Sequence, residues 1–307
     1  MSNEVELPTP TTLPTPPQYF LGVDRVYAAI WYISISSVSL LLHIVFIAGS
    51  RRLCGWQSNF SFTLLLVNAS VSIIRFAVQI FASITALFYL DWTKYQDLFI
   101  VYGSLAFTPY FTVVFNNFAI TIHRLIYTAY PFSASRILNK CVTKTILAIS
   151  CGIFLFFLLS LNTQLLGARW VDSMMAWAVM KSRNIHLFRA LNRITNYAVG
   201  LINLVCYSVL FFILYIKKAI SFRRNHEIKM TLQVICMVTC EFLFFLFWEQ
   251  WTVTHGGMLL VFAETTNLLY FDAIILPYLI LNGKIKSQLR AMMKGNTAVI
   301  HVTDTRV

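Results

Sequence analysis

The chain is poor in charge, and poorest in acid. Of its 307 residues 12% are charged, with Asp and Glu numbering 12 against 24 Lys and Arg. An average soluble domain carries about 25% charged residues. So little polar surface could not cover a water-soluble fold of this size. The composition rules out a disordered chain and speaks against an ordinary cytosolic enzyme. No P-loop, GxGxxG, HExxH or GxSxG pattern occurs, so no soluble active site is announced. An internal repeat is also missing, which counts against transporter folds built from duplicated halves.

What the chain has is apolar length. Hydrophobic residues make up 58% and aromatics 15%, and mean hydropathy is +0.69. A membrane helix needs about 20 apolar residues. Seven stretches qualify: Val26–Ala48, Phe60–Leu90, Leu98–Tyr127, Ile146–Leu166, Thr195–Ile216, Met230–Thr252 and Met258–Leu281. Backbone polar groups in lipid must be satisfied within the segment, so these should be helices. The expected fold is all-α: a bundle of seven transmembrane helices.

The net charge of +12 is either a nucleic-acid signal or a topology label. With the N-terminus outside, sixteen of the 24 Lys and Arg residues fall on the inner side. No acidic block or aromatic–basic RNA pattern accompanies them. The charge therefore reads as orientation, and no nucleic-acid partner is expected. The second outer loop, with Arg169, Lys181, Arg183, Arg189 and Arg193, is the exception to the bias. Residues 1–25 form a Pro-rich outer tail, 26–282 the membrane domain, and 283–307 a cytoplasmic helix and tail. The first charges are Glu4 and Glu6, so no cleavable signal peptide is expected.

The six cysteines are Cys54, Cys141, Cys151, Cys206, Cys236 and Cys240. None falls in an outer segment, where disulfides form. Nor do they show zinc spacing; no metal or cofactor is expected. The Asn59-Phe60-Ser61 and Asn68-Ala69-Ser70 sequons fall in an inner turn and inside a span, out of reach of glycosylation.

The third stretch ends Asn116-Asn117-Phe118, then His123-Arg124, with Pro131 seven residues beyond Arg124. The seventh ends Leu276-Pro277-Tyr278. This layout resembles the rhodopsin-like seven-helix G-protein-coupled receptors, and most of all the nematode serpentine chemoreceptor superfamily. The resemblance implies that Arg124 holds the resting state and then meets a heterotrimeric G protein. His123 stands where the family has an acidic residue, and Leu276 where it has Asn. The family's Trp in span four, Pro in span six, Asp in span two and outer disulfide are absent. So is a Lys in span seven, which excludes a retinal Schiff base.

Residues named for coupling are His123, Arg124, Pro131, Arg223, Arg224, Pro277 and Tyr278. Arg223 and Arg224 belong to a short basic inner loop, Lys217–Lys229. Pro277 should kink its helix. Beyond it, Ile285, Leu289, Met292 and Met293 share one face of a basic segment. This predicts a short amphipathic eighth helix on anionic membrane lipids.

Arg75, Glu241 and Asp272 lie inside spans. Such charges cost about 2.5–3.5 kcal/mol each on insertion scales and should pair. The expected pair is Arg75 with Asp272, and Glu241 is the second choice. For a small-molecule ligand the expected lining is Tyr102, Phe107, Tyr110, Tyr197, Trp248, Glu249, Glu264 and Asn267, aromatic walls with a few polar groups. The glutamates would attract a cation or hydrogen-bond donor; the basic second outer loop would favour an acidic ligand. Trp92, Trp170 and Trp251 read as interface-belt residues. The expected function is a chemosensory receptor in the plasma membrane, in a sensory cilium for example. The alternative is a divergent polytopic transporter or channel. An intramembrane enzyme would need a polar set at one depth, and His43 and His123 read as too isolated to supply it.

Overall fold

The computed structural model describes residues 19–90, 95–130, 132–162, 168–171, 173–179, 185–216, 237–247 and 257–293. These are overwhelmingly helical. Helix α1 (Val23–Ser50) leads through a single 3-10 turn (Gln57–Asn59) into α2 (Phe60–Leu87), and α3 spans Gln96–Ala129. A one-turn α4 (Ala134–Ile137) precedes α5 (Lys140–Asn162). Then come strands β1 (Ala168–Val171) and β2 (Ala176–Val179). The next rod is α6 (Ile185–Tyr197), a π-helical turn (Ala198–Ile202) and α7 (Asn203–Ile216). The apolar helix α8 (Met237–Phe247) follows, and α9 (Gly257–Leu281) and α10 (Gly283–Met293) close the described chain.

Five of these helices, α1, α2, α3, α5 and α9, are long and apolar enough to cross a membrane. Their dressing is inverted relative to a soluble bundle. Val38, Leu41, Leu155, Phe156 and Leu159 point outward, while Ser36, Ser39, Asn68, Ser72, Gln79, Asn116 and Asn117 are buried. Lipid-facing surfaces must be apolar, and polar groups must find partners inside. Several hydroxyls solve this locally by donating to the carbonyl one turn back: Ser72 to Asn68 (2.7 Å) and Thr112 to Thr108 (3.2 Å). The protein is an integral membrane protein on these grounds.

Successive long helices alternate in direction. At one end the start of α1 meets the end of α2, Arg25 Nε donating to the Ala86 carbonyl at 2.9 Å. The start of α3 lies there too, and the β1–β2 hairpin rests on it. A Cβ added at Gly103 would sit 2.0 Å from the Ala168 carbonyl oxygen, so only glycine admits the strand at this height. The backbone N–H groups of Tyr19 and Phe20 donate to the Ser173 carbonyl (3.0 and 3.2 Å) and tie the chain entry to the hairpin. At the opposite end α10 packs beneath α1, with Ile285 and Leu289 against Gly49. Asn282 starts α10 as an N-cap, its Oδ1 accepting from the N–H of Lys284 (3.0 Å) and Ile285 (3.3 Å).

The short amphipathic helix expected after Leu281 is therefore present as α10, with Ile285 fully buried, while Met292 and Met293, expected on the same face, are exposed. All-α holds for the bundle but not for the hairpin, whose strands pair antiparallel with Trp170 opposite Trp177. Their rings meet edge-to-face at 5.2 Å, and Trp170 is fully buried. Trp170 is thus a packed hairpin residue and not a belt residue. Cross-strand aromatic pairing of this kind stabilises a short ribbon. Trp92 and Trp251 lie outside the described residues.

Candidate functional site: a cavity and a polar stripe

Beneath the hairpin lies a cavity of about 250 Å³. Its aromatic walls are Phe107, Phe188, Phe247, Phe271 and Trp177, and its polar lining includes Arg75, Tyr110, Asn192, Asn196, Glu264 and Asn267. Four expected ligand residues, Phe107, Tyr110, Glu264 and Asn267, line it together. Tyr102 does not; its ring packs on Phe81 at 4.5 Å. Tyr197 also stays out, half-exposed with its ring 5.3 Å from Phe245. Trp248 and Glu249 lie outside the described residues.

The intramembrane charges pair differently from expectation. Arg75 Nη2 donates to Glu264 Oε1, and Nη1 donates to Gln79 Oε1 at 2.8 Å. Both members of the ion pair are buried. Gln79 Oε1 also accepts from Trp177 Nε1 at 2.7 Å. One amide oxygen thus joins the hairpin to the charge pair. The expected Arg75–Asp272 pair is not formed. Asp272 Oδ2 instead accepts from Ser39 Oγ at 2.6 Å, and Oδ1 lies 3.5 Å from His43 Nδ1. His43 is therefore less isolated than its sequence position implies. The Ser39 hydroxyl goes to the carboxylate and His43 Nδ1 faces the Ser39 carbonyl (2.9 Å), so the three do not form a nucleophile–base pair. The second choice, Glu241, does not meet Arg75 either. It accepts from Asn117 Nδ2 and, at 2.8 Å, from Asn203 Nδ2.

These contacts line up along α3. Tyr110, Asn117, Thr121 and Arg124 are spaced i, i+7, i+11 and i+14, one face of a helix. Tyr110 OH donates to Asn196 Oδ1 at 2.6 Å beside the cavity. Asn117 reaches Glu241 of α8. The Thr121 hydroxyl lies 3.0 Å from Tyr207 OH and 3.3 Å from Asn203 Oδ1. At the far end the Arg124 guanidinium carbon stands 5.2 Å from the centre of the Tyr278 ring, inside cation–π range. Tyr278 is buried and follows the internal Pro277 of α9. That proline removes the hydrogen bond to the Ala273 carbonyl.

His123 turns the other way. Its Nε2 lies 2.7 Å from the Gln57 carbonyl and its Nδ1 2.9 Å from Ser61 Oγ. A carbonyl only accepts, so Nε2 carries the proton and Nδ1 accepts from Ser61. His123 thus fastens α3 to the start of α2 and does not contact Arg124's partner. Pro131, Arg223 and Arg224 lie outside the described residues.

Sequence reading missed Trp177, Phe188, Asn192, Asn196 and Gln79. Gln79 had a signal, since it is four residues from Arg75 on the same helix. Trp177 had none, because nothing in the loop announced a hairpin. No protein-family model matches the chain, and no curated protein matches it.

Proposed function

We propose that this chain is a seven-helix G-protein-coupled receptor for a small molecule, of the serpentine chemoreceptor kind. The rod α6–α7 supplies the fifth crossing, the apolar helix α8 belongs to the sixth, and α9 is the seventh. The N-terminus and hairpin are outside, at the plasma membrane, and α4 and α10 are inside. The positive bias of the inner segments supports that orientation.

The observation that carries the reading is the stripe on α3. It joins a cavity under the hairpin to Arg124 at the other end, through hydrogen bonds to α6, α7 and α8. A ligand that alters the cavity end biases the packing of the same helices at the Arg124 end, as a two-state element requires. Release of Arg124 from Tyr278 exposes a guanidinium to a heterotrimeric G protein.

The test is a small-molecule screen in cells that carry a promiscuous Gα reporter. Ligand-dependent signal that is lost on substituting Arg124 supports the reading. Solute flux through purified protein in vesicles, without any G-protein response, replaces it with the transporter or channel alternative.

A further inference from the structure

The cavity's charge arrangement selects the chemical class of its ligand; this step rests on reading the cavity as a ligand site. Arg75 and Glu264 face the same space and neutralise each other. Both terminal nitrogens of Arg75 are already engaged, one by Glu264 and one by Gln79. Glu264 Oε2 takes no hydrogen bond from any described residue. The amides of Asn192 and Asn267, and the Asn196 Nδ2, are likewise without a described partner while lining the space.

An ion entering this space finds no vacant counter-charge among the described residues. A cation has to share the Glu264 carboxylate with the Arg75 guanidinium. An anion has to displace Glu264 or Gln79 from Arg75. Either way a net charge is left in a buried site, which disfavours binding. The described basic residues of the second outer loop do not relieve this for an anion. Arg189 and Arg193 are exposed, and Arg169 does not line the cavity. A neutral O–H or N–H group meets no such penalty. It donates to Glu264 Oε2, and its acceptor atoms take the asparagine amides. The aromatic walls of Phe107, Phe188, Phe271 and Trp177 suit a flat apolar body. The volume, about 250 Å³, is roughly that of eight waters in the liquid, so the molecule is small.

We propose that this cavity takes a small uncharged molecule with an aromatic or alicyclic body and a hydrogen-bond-donating head, and that the Arg75–Glu264 pair rejects singly charged analogues of either sign.

The test uses three probes of one shape: benzamide, benzylammonium and benzoate. Each is titrated against the purified full chain in nanodiscs of neutral lipid, reading the melting temperature. For the natural sequence, benzamide should raise it, and the two ions should need about tenfold more or worse for the same shift. Glu264→Gln leaves Arg75 unneutralised and should turn the preference to benzoate. Arg75→Gln should turn it to benzylammonium. The double variant, neutral again, should prefer benzamide and guards against loss of folding in either single variant. Preference of the natural chain for an ion, binding of none of the three, or single variants that fail to shift in opposite directions would each overturn the proposal. Benzamide-selective binding with no G-protein recruitment by any ligand would support the charge rule and sink the receptor reading alone.

Discussion

Arg124 of α3 holds its guanidinium 5.2 Å from the ring centre of Tyr278 on α9, next to the helix-weakening Pro277. A cation–π contact of this kind is worth about 0.5–2 kcal/mol. If it favours the resting arrangement, Tyr278→Ala should raise ligand-free signalling about two- to thirtyfold, and Tyr278→Phe, which keeps the ring, should raise it far less. Basal output in the Gα reporter cells measures both. Equal effects of the two substitutions would remove the ring from the explanation.

The observed charge pairing makes a second prediction. Truncating one member of a buried pair costs about 3–5 kcal/mol, because the other charge is left uncompensated. Arg75→Ala and Glu264→Ala should each lower thermal stability strongly, and the double variant should recover much of the loss. Arg75→Ala combined with Asp272→Ala should be close to additive, since Asp272 is held by Ser39 instead. Melting curves of the four-variant cycles decide between the two pairings.

Glu241 fastens α8 to α3 and α7 through two asparagine amides. Hydrogen bonds between membrane helices are worth about 0.6–2 kcal/mol each. Glu241→Ala should therefore cost about 1–4 kcal/mol, and Glu241→Gln, which still offers one acceptor oxygen, should cost less. Thermal unfolding in detergent reads the difference.

Gly103 and Gly152 form a matched pair. A methyl at 103 runs into the Ala168 carbonyl, while one at 152 meets nothing within 4 Å. Gly103→Ala should cost at least the 1–3 kcal/mol typical of overpacking. Gly152→Ala, in the middle of α5, should gain about 0.5–1 kcal/mol from helix propensity. Yield and melting temperature of the two variants test this.

Two thiols outside the helix interiors report topology. Cys141 at the start of α5 is exposed, while Cys54 is half-buried and its Sγ lies 3.5 Å from the Ser50 and Phe62 carbonyls. Burial pushes the Cys54 thiol above its ordinary pKa, so less of it is thiolate at neutral pH and its alkylation should accelerate only at higher pH. Cys141 should react first, and with a membrane-impermeant maleimide only after cells are opened. Mass spectrometry of the labelled peptides checks order and side.

Much of the architecture could be read before any coordinates. The apolar stretches, the short amphipathic helix after Leu281 and the helix-end residues Arg124 and Tyr278 all announce themselves by period, charge or motif. So did part of the cavity, in Phe107, Tyr110, Glu264 and Asn267. Partner choice did not. Sequence puts Arg75 and Asp272 in the middle of their spans. It fixes neither the rise of α2 against α9 nor their rotation, and those decide that Glu264 is the residue Arg75 meets. The hairpin was hidden for a related reason. Its strands are four residues each, too short for alternation to show, and their pairing depends on the space that Gly103 leaves open.

The π turn at Ala198–Ile202 has a consequence for tolerance to change. It lets one rod present Asn192 and Asn196 to the cavity and Asn203 and Tyr207 to α3 and α8. A wide turn of this kind holds one residue more than the α-helical turn it replaces. Loss of one residue there would close the wide turn to an ordinary α-turn and leave everything downstream close to its present phase. Loss of one residue from the regular helix that follows, ahead of Tyr207, would instead turn what lies beyond it by about 100° and swing Tyr207 away from Thr121. The segment works as slack in the rod, and its length is a looser constraint on descendants of this chain than the length of the helix that follows it.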